Sequence, residues 1–228
     1  MSTSGTTAFN LDLSEIVEEA FERAGSELRT GYDLRTARRS LNLLFADWAN
    51  RGVNMWTFEQ GSITLVPGTA TYDLPTDTVD LLEHVIRTGA GSVSTQADLT
   101  ITRISVSTYA TIPNKLQQAR PIQVWVERLL TPRITVWPVP DDSQTYTFVY
   151  WRMRRIDDAG NGVNTMDVPF RFLPCLVAGL AYYLALKVPN GAQRLEVLKA
   201  QYDEAWELAS TEDRETAALR FVPRQTYI

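Results

Sequence analysis

The side chains best suited to nucleophilic chemistry are a single histidine, His84, and a single cysteine, Cys175. A Cys–His dyad needs an exposed, activated thiol, whereas Cys175 lies in an apolar run where thiols are usually inert. His84 sits in the apolar patch between Leu82 and Ile86, which favours a hydrogen-bonded structural histidine over a catalytic base. Neither residue is predicted to be catalytic.

Metal and cofactor sites also lack the residues that they require. One Cys and one His cannot supply a zinc site. The run 157–167, DDAGNGVNTMD, lacks the alternating carboxylates and spaced glutamate of a calcium loop, so an ordinary surface loop is preferred. There is no glycine-rich phosphate loop and no G-x-S-x-G turn. We therefore predict a protein that is not an enzyme and that holds neither cofactor nor metal.

A carbohydrate-active or cell-wall-degrading protein is the alternative from another class. Five aromatic residues in predicted strands could stack on sugars, although such residues more often belong to a core or an interface: Trp125, Trp137, Tyr146, Tyr150 and Trp151. Hydrolysis of a glycoside needs two carboxylates that flank the scissile bond. The chain is rich in carboxylates, but its pattern singles out no pair.

Composition indicates an ordinary globular protein, with 228 residues, 44% of them hydrophobic, and a net charge of −5. The acidic balance disfavours a general nucleic-acid-binding surface, because such surfaces are basic and release counterions on binding. A single cysteine suits a reducing cytoplasm. The first eight residues lack the features of a signal peptide. We expect a flexible N-terminal segment, residues 1–10, and a protein that stays in the cell or in something assembled there.

The elements that must position these residues are organised around the run 170–188, FRFLPCLVAGLAYYLALKV. Spacings of three and four predict an apolar helix through Leu173, Leu176, Val177, Leu180, Leu184 and Val188. Its other sides are nearly as apolar, so at least three other elements should cover it. A membrane span is disfavoured because the uncharged run is about one turn too short and contains Pro174. Pro169 is expected in the first turn.

Two amphipathic helices are predicted before this one. A capping box formed by Asp12 and Glu15 should start the first, and Gly25 suits its left-handed end. Asp33 should cap the second, which should end at Gly52. Two such helices in a row predict a helical hairpin.

The polar back of the second helix carries Arg35, Arg38 and Arg39. The simplest interpretation is a solvated face, and the sharper alternative is a site for an acidic partner.

From Trp56 onward the hydrophobic pattern alternates, which predicts strands. Apolar residues on both sides of Pro67-Gly68 predict a β-hairpin. Further strands are expected at Leu99–Ile104, Ile122–Glu127, Arg133–Trp137 and Thr145–Trp151, with a short helical turn at Ser105–Tyr109. The segment Thr78–Arg87 is ambiguous, because its apolar residues suit either a strand or a short helix; a strand is preferred. The small, polar run Gly89–Ala97 should be an exposed loop.

A final helix is expected from about Ala192 to Glu215, with Leu195, Leu198, Tyr202, Ala205, Trp206 and Ala209 turned inward. It is followed by an extended segment, 221–228, with Phe221, Tyr227 and Ile228. Large apolar residues in such a segment either dock on another subunit or partner, or pack on their own chain.

The simplest architecture is an α+β fold in which a four-helix bundle, with two N-terminal and two C-terminal helices, holds an inserted β-rich domain. The predicted segments are 1–10, flexible; 11–55, helical hairpin; 56–155, β-rich; 156–216, second half of the bundle; and 217–228, docking segment.

Five phrases in order resemble the head-to-tail adaptor proteins of short-tailed bacteriophages, also called tail tubular protein A or portal-adaptor proteins. They are LNLLFADWANRGVNMW, FEQGSITLVPGTATYDLP, STYATIPNKLQQARPIQVWVERLLTPRITVWPVP, VPFRFLPCLVAGLAYYLALKVP and EDRETAALRFVP. The resemblance extends from about Leu11 to Pro223.

The resemblance implies a structural virion protein, made in the host cytoplasm and located in the neck. Twelve copies would form a ring under the portal, extend the DNA channel without binding DNA specifically, and attach the tail nozzle and fibres. The portal-docking residues would lie in the C-terminal segment: Phe221, Val222, Arg224, Tyr227 and Ile228. The loop Gly89–Ala97 would contact the nozzle or a neighbour. A tail-associated hydrolase and a tail-completion ring protein are the alternatives.

Overall fold

The computed structural model describes residue 5 and residues 11–28, 31–52, 55–189 and 191–214. The helices are α1 (Leu13–Ala24), α2 (Gly31–Arg51), α3 (Val106–Ala110), α4 (Leu173–Ala185) and α5 (Leu195–Glu212). The strands are β1 (Phe58–Thr64), β2 (Thr71–Asp73), β3 (Thr78–Thr88), β4 (Ala97–Thr100), β5 (Thr102–Ile104), β6 (Gln123–Glu127), β7 (Arg133–Trp137) and β8 (Tyr146–Arg154). This mixture confirms the predicted α+β class.

The chain forms two compact units. We call Met1–Met55 with Asp157–Ile228 the helical unit, and Trp56–Ile156 the β unit. Within the described part of the chain, none of the helices is both long and apolar enough to cross a bilayer.

Helix α4 is the centre of the helical unit. It packs against α1, α2 and α5, which confirms the prediction that at least three elements cover it. Its fully buried side chains include Leu176, Leu180 and Leu184. Gly179 allows close packing, since a Cβ there would meet Tyr202 Cε2 at 2.9 Å and a Leu44 methyl at 3.0 Å. The lack of charge along α4 thus reflects cover on all sides.

The predicted start of α4 was wrong. Pro169 precedes a 3-10 turn, Phe170–Phe172, and the α-helix begins only at Leu173, with Pro174 in its first turn. A helix that began near Pro169 would place Pro174 in its interior, where the missing amide and the ring clash would break it. Pro174 therefore fixes the start.

The caps of α1 are as predicted. Asp12 accepts from Glu15 N, Glu15 accepts in return from Asp12 N, and Gly25 takes a left-handed conformation with φ of 85°. The cap of α2 was wrong: the helix includes Gly31, so Asp33 lies in its first turn and places a carboxylate near the positive helix end.

The β unit contains two four-stranded sheets, with orders β1-β8-β3-β4 and β2-β7-β6-β5. All pairs are antiparallel except β5 with β6. Side chains from both sheets form one core: Leu65, Leu74, Leu81, Ile86, Val124, Ile134, Val136, Tyr146, Phe148 and Tyr150. Alternate residues of β8, Tyr146, Phe148 and Tyr150, enter this core, which accounts for the alternating pattern of that strand.

The hairpin predicted around Pro67-Gly68 was wrong, although the turn is present. Thr69 N donates to Val66 O (3.1 Å), and Gly68 has a φ of 78°. The flanking strands do not pair, because β1 joins β8 and β2 joins β7 in the other sheet. The turn therefore carries the chain from one sheet to the other.

The single strand predicted at Leu99–Ile104 is also divided between the sheets. It forms β4 and β5, separated at Ile101, whose side chain packs against the core. The ambiguous segment from Thr78 is strand β3, as preferred, and the helical turn after Ser105 is α3.

The ends of the β unit lie on neighbouring strands. Near the start of β1, Phe58 pairs with Met153, close to the end of β8. At the opposite end of the same sheet, Thr64 pairs with Thr147 and Thr88 pairs with Tyr146. The chain thus enters and leaves the β unit at one end of this sheet.

Candidate interaction surfaces

Cys175 is not an available nucleophile. It is fully buried in α4, and burial raises the pKa of its thiol to about 12. A thiolate is the reactive form of cysteine, so this side chain is inert at neutral pH. The predicted role as a small core residue fits this environment.

His84 is buried as predicted, but the expected hydrogen bonds are missing. The ring is 9% exposed and stacks on Phe148, with 6.0 Å between ring centroids. Neither ring nitrogen has a hydrogen-bond partner among the residues that the structure describes. Burial lowers the pKa of His84 below its ordinary value of 6.5; the charge of Glu83 opposes this shift and that of Arg103 reinforces it. His84 is therefore a source of instability.

We expect acid to destabilise the wild-type protein through His84. The unfolded chain takes up a proton on this ring below about pH 6.5, whereas the folded state resists protonation. Stability should therefore fall as pH drops below 6.5 and level off below the folded-state pKa. Since His84 is the only histidine, His84→Phe should flatten the profile between pH 7.5 and 5 and raise stability by about 1 kcal/mol.

Urea unfolding at pH 7.5, 6.5, 5.5 and 5.0 measures this effect. His84→Gln is the control, because it removes the titrating ring but keeps a buried polar group. It should share the flatter profile without the gain in stability. A His84→Phe profile parallel to that of the wild type would contradict the prediction.

The acidic loop 157–167 accepts hydrogen bonds from the first turn of α1. Leu13 N donates to Asn164 O (3.0 Å), and Ser14 N donates to Gly162 O (3.1 Å). These amides belong to the first turn of α1, and the amides of a first turn have no hydrogen-bond acceptor within their own helix. No group of three His, Cys, Asp or Glu side chains suited to a metal ion occurs in the described ranges. The loop is thus a structural cap on α1.

The five aromatic residues that could have bound a sugar do not share one surface. Tyr146 and Tyr150 are buried in the core of the β unit. These two tyrosines lie on β8, whereas Trp125 lies on β6 of the second sheet. The Trp125 ring stacks on Tyr109, with 5.1 Å between ring centroids. Trp151 alternates in direction with Tyr150 along β8 and is partly exposed. Trp137 lies in the same sheet as Trp125, so the five rings are divided between the core and the two sheets.

The charge of Arg152 is neutralised by ion pairs within the β unit. Its guanidinium donates to Asp77 Oδ1 (2.7 Å), Glu59 Oε2 (2.7 Å) and Thr78 Oγ1 (2.9 Å). The hydrogen bond from Arg152 lowers the pKa of Asp77. Because these partners flank β8 on both sides, Arg152 links the strands of one sheet and offers no free charge to a ligand.

Another ion pair, between a partly exposed arginine and a buried carboxylate, lies in the helical unit. The Asp213 side chain is fully buried just after α5, and its Oδ1 contacts Arg171 Nη2. Its Oδ2 accepts from Met55 N (2.9 Å). This carboxylate joins three segments that are distant in sequence. Nothing in the pattern around Asp213 distinguishes it from an ordinary polar residue at a helix end.

The polar back of α2 is an exposed surface, as the sequence suggested. Arg35 and Arg39 are exposed, and Arg38 is half-buried. Tyr32 and Leu43 are large, exposed apolar residues on the same side of the helix. Tyr32, Arg39 and Leu43 also line a groove of about 530 Å³, together with Phe21 of α1 and Leu184 of α4. We call Tyr32, Arg35, Arg39 and Leu43 the α2 outer face.

Helix α5 carries an acidic counterpart. Asp203, Glu204 and Glu207 are exposed, as are the apolar Val197 and Leu208. We call these five residues the α5 outer face. The predicted inner face is correct for Leu198, Tyr202 and Ala209, all of which are buried. The sequence indicates that these carboxylates point outward, but it does not single them out as a binding surface, because an acidic helix back is the normal solvated pattern. The additional signal is the pair of large apolar residues on the same side.

The loop between β3 and β4 lies at one end of its sheet. The chain enters and leaves the β unit at the other end. Val93 is fully exposed, while Gln96 N donates to Ser92 O (3.0 Å) and Gly91 N donates to Gln96 Oε1 (3.2 Å). The predicted loop Gly89–Ala97 is thus internally hydrogen-bonded, and its last residue begins β4.

The predicted portal-binding residues Phe221, Val222, Arg224, Tyr227 and Ile228 lie outside the described residues.

The described residues thus include exposed charged and apolar faces, whereas His84 and Cys175 are buried in different units. A family model described as SU10 adaptor protein matches residues 11–223. The chain therefore belongs to the SU10 adaptor protein family, a family of phage head-to-tail adaptors. This confirms the resemblance found in the sequence. No curated protein matches the chain.

Proposed function

We propose that this protein is a structural virion component that forms a ring of twelve copies under the portal, extends the DNA channel and attaches the tail nozzle and fibres. The family match over residues 11–223 is the observation that carries this proposal. Phage adaptors are structural proteins, and in the virion such a protein occupies the neck. The chain is made in the host cytoplasm before assembly.

In this proposal the helical segments 11–55 and 156–216 form a four-helix bundle, and the β-rich segment 56–155 is inserted between them. The C-terminal residues Phe221, Val222, Arg224, Tyr227 and Ile228 bind the portal. The protruding loop Gly89–Ala97 meets the nozzle or a neighbouring copy. Its exposed Val93 supports this role, because an apolar side chain at a loop tip gains by burial in a partner.

The net charge of −5 supports a channel that lets DNA slide. A negative lining repels phosphates, whereas a basic lining would hold DNA through counterion release. The internal pairing of Arg152 is consistent with this view, because its charge is already neutralised by Glu59 and Asp77. The DNA then passes through the ring without specific binding.

Light scattering after size exclusion tests the proposal on the purified protein, with and without its portal. We expect the mass of the portal ring to increase by about one adaptor per portal subunit. Deletion of residues 221–228 should leave the circular dichroism spectrum and melting temperature unchanged but weaken this association. A full-length protein that ignores the portal would contradict the proposal and favour a tail-completion protein. Loss of folding in the deletion variant would show that this segment packs on its own chain.

A further inference from the structure

The α2 outer face and the α5 outer face are matched in length. Tyr32 and Leu43 are eleven residues apart, and so are Val197 and Leu208. At a rise of about 1.5 Å per residue, each pair spans about 16 Å. All four side chains are between 60% and 66% exposed. Each helix therefore presents two apolar residues with the same separation.

The charges between these apolar residues are opposite. On α2 they are Arg35 and Arg39, and on α5 they include Glu204 and Glu207. Arg39 donates to Thr36 on its own helix (3.3 Å). Within the part of the chain that the structure describes, no carboxylate forms an ion pair with Arg35 or Arg39. Arg35 and Arg39 thus have no acidic partner there, whereas Arg51 near the end of the same helix pairs with Asp47.

Both faces are exposed, and other sides of the two helices join them to the helical unit. The inner side of α2 carries Leu41 and Trp48, and that of α5 carries Leu198 and Tyr202; all four are buried. Both helices pack against α4 through these inner sides. The two outer faces are therefore available to another molecule without any change in the fold.

We infer that the α2 outer face of one copy binds the α5 outer face of the next copy in the ring. This inference rests on the proposed function. The contact is heterologous, because two different surfaces of the same chain meet, and such contacts repeat around a closed ring. The apolar residues at the two ends of each face bury apolar surface in the contact. Between these ends, the arginines of α2 face the carboxylates of α5. Arginine suits this role because its planar guanidinium can bind a carboxylate through two hydrogen bonds.

The affinity of this contact is expected to depend more on whether the two faces carry opposite charges than on any single ion pair. An exposed ion pair changes an association constant by less than about fivefold, whereas like charges placed opposite each other weaken an interface much more. Assembly should also weaken as salt is raised, because exposed charges are screened.

Two charge-reversal variants test the inference. One carries Arg35→Glu with Arg39→Glu, and the other carries Glu204→Arg with Glu207→Arg. Each variant alone meets like charges at every contact, so its half-assembly concentration should rise at least about tenfold. In an equal mixture each contact joins opposite charges, so the two variants should assemble in alternation. Combining all four changes in one chain should also restore assembly.

The control is Glu18→Arg with Glu22→Arg on α1, two exposed carboxylates that belong to neither outer face. It should assemble like the wild type, and circular dichroism should show that every variant is folded. Assembly is measured by native mass spectrometry or light scattering, with the portal present if the wild type needs it.

The outcomes separate the inference from the function on which it rests. A wild type that joins no ring, alone or on the portal, overturns the proposed function and this inference with it. A wild-type ring with unaffected variants overturns only the inference. Variants that form rings but bind the portal or DNA differently would assign the α2 outer face to that other partner, and would also overturn it. Rescue in the mixture supports it, because no other surface accounts for pairing between variants that fail alone.

Discussion

Leu180→Asp is expected to abolish soluble expression of this protein. Leu180 is fully buried in α4, and α4 is covered by α1, α2 and α5. An aspartate there would place an unpaired charge among apolar side chains. The cost is several kcal/mol, comparable with the whole stability of a domain of about 5–15 kcal/mol. The soluble fraction after expression and the far-ultraviolet circular dichroism spectrum measure the effect.

Leu186→Asp provides the matched control, because Leu186 follows α4 directly and is 60% exposed. The same chemical change there should leave expression intact and lower the melting temperature by only a few degrees. A Leu180→Asp protein that is soluble and melts like the wild type would mean that α4 is not the covered centre of the helical unit.

Arg171→Met should produce the second large effect, a loss of about 3–5 kcal/mol in the free energy of unfolding. The change leaves the buried Asp213 carboxylate without its cation, and an uncompensated buried charge is among the most costly single defects. The hydrogen bond from Met55 N stays, but it does not neutralise the charge. The shift in the midpoint of guanidinium unfolding measures this loss.

Arg23→Met is the control for this substitution. Arg23 pairs with Glu19 one turn away on the surface of α1, and both side chains are well exposed. An exposed pair of this kind contributes less than about 1 kcal/mol, so the midpoint should barely move. Equal losses in the two variants would show that the pair with Asp213 behaves like an ordinary surface pair.

The sequence predicted features that depend on residues close together in the chain. The capping box of α1 and the left-handed Gly25 follow from a few neighbouring residues, and both are present. The turn at Pro67-Gly68 is present for the same reason. Its flanking strands pair elsewhere because the partner of a strand depends on the whole core of the β unit. Local turn chemistry does not contain that information.

The candidate surfaces were predictable to a similar extent. The basic back of α2 was visible as three arginines at helical spacing. The acidic back of α5 was visible too, but its relation to α2 emerges only when exposure identifies Tyr32, Leu43, Val197 and Leu208. His84 was correctly placed in an apolar setting, but its missing hydrogen bonds depend on what surrounds it in three dimensions.

The pairing of Phe58 with Met153 has a consequence for the history of the gene. Paired residues on neighbouring antiparallel strands have Cα atoms only about 5 Å apart. Closely spaced ends of this kind are where insertion or exchange of a domain is tolerated. The β unit occupies one continuous stretch of the chain, Trp56–Ile156, so its own ends suit exchange by recombination.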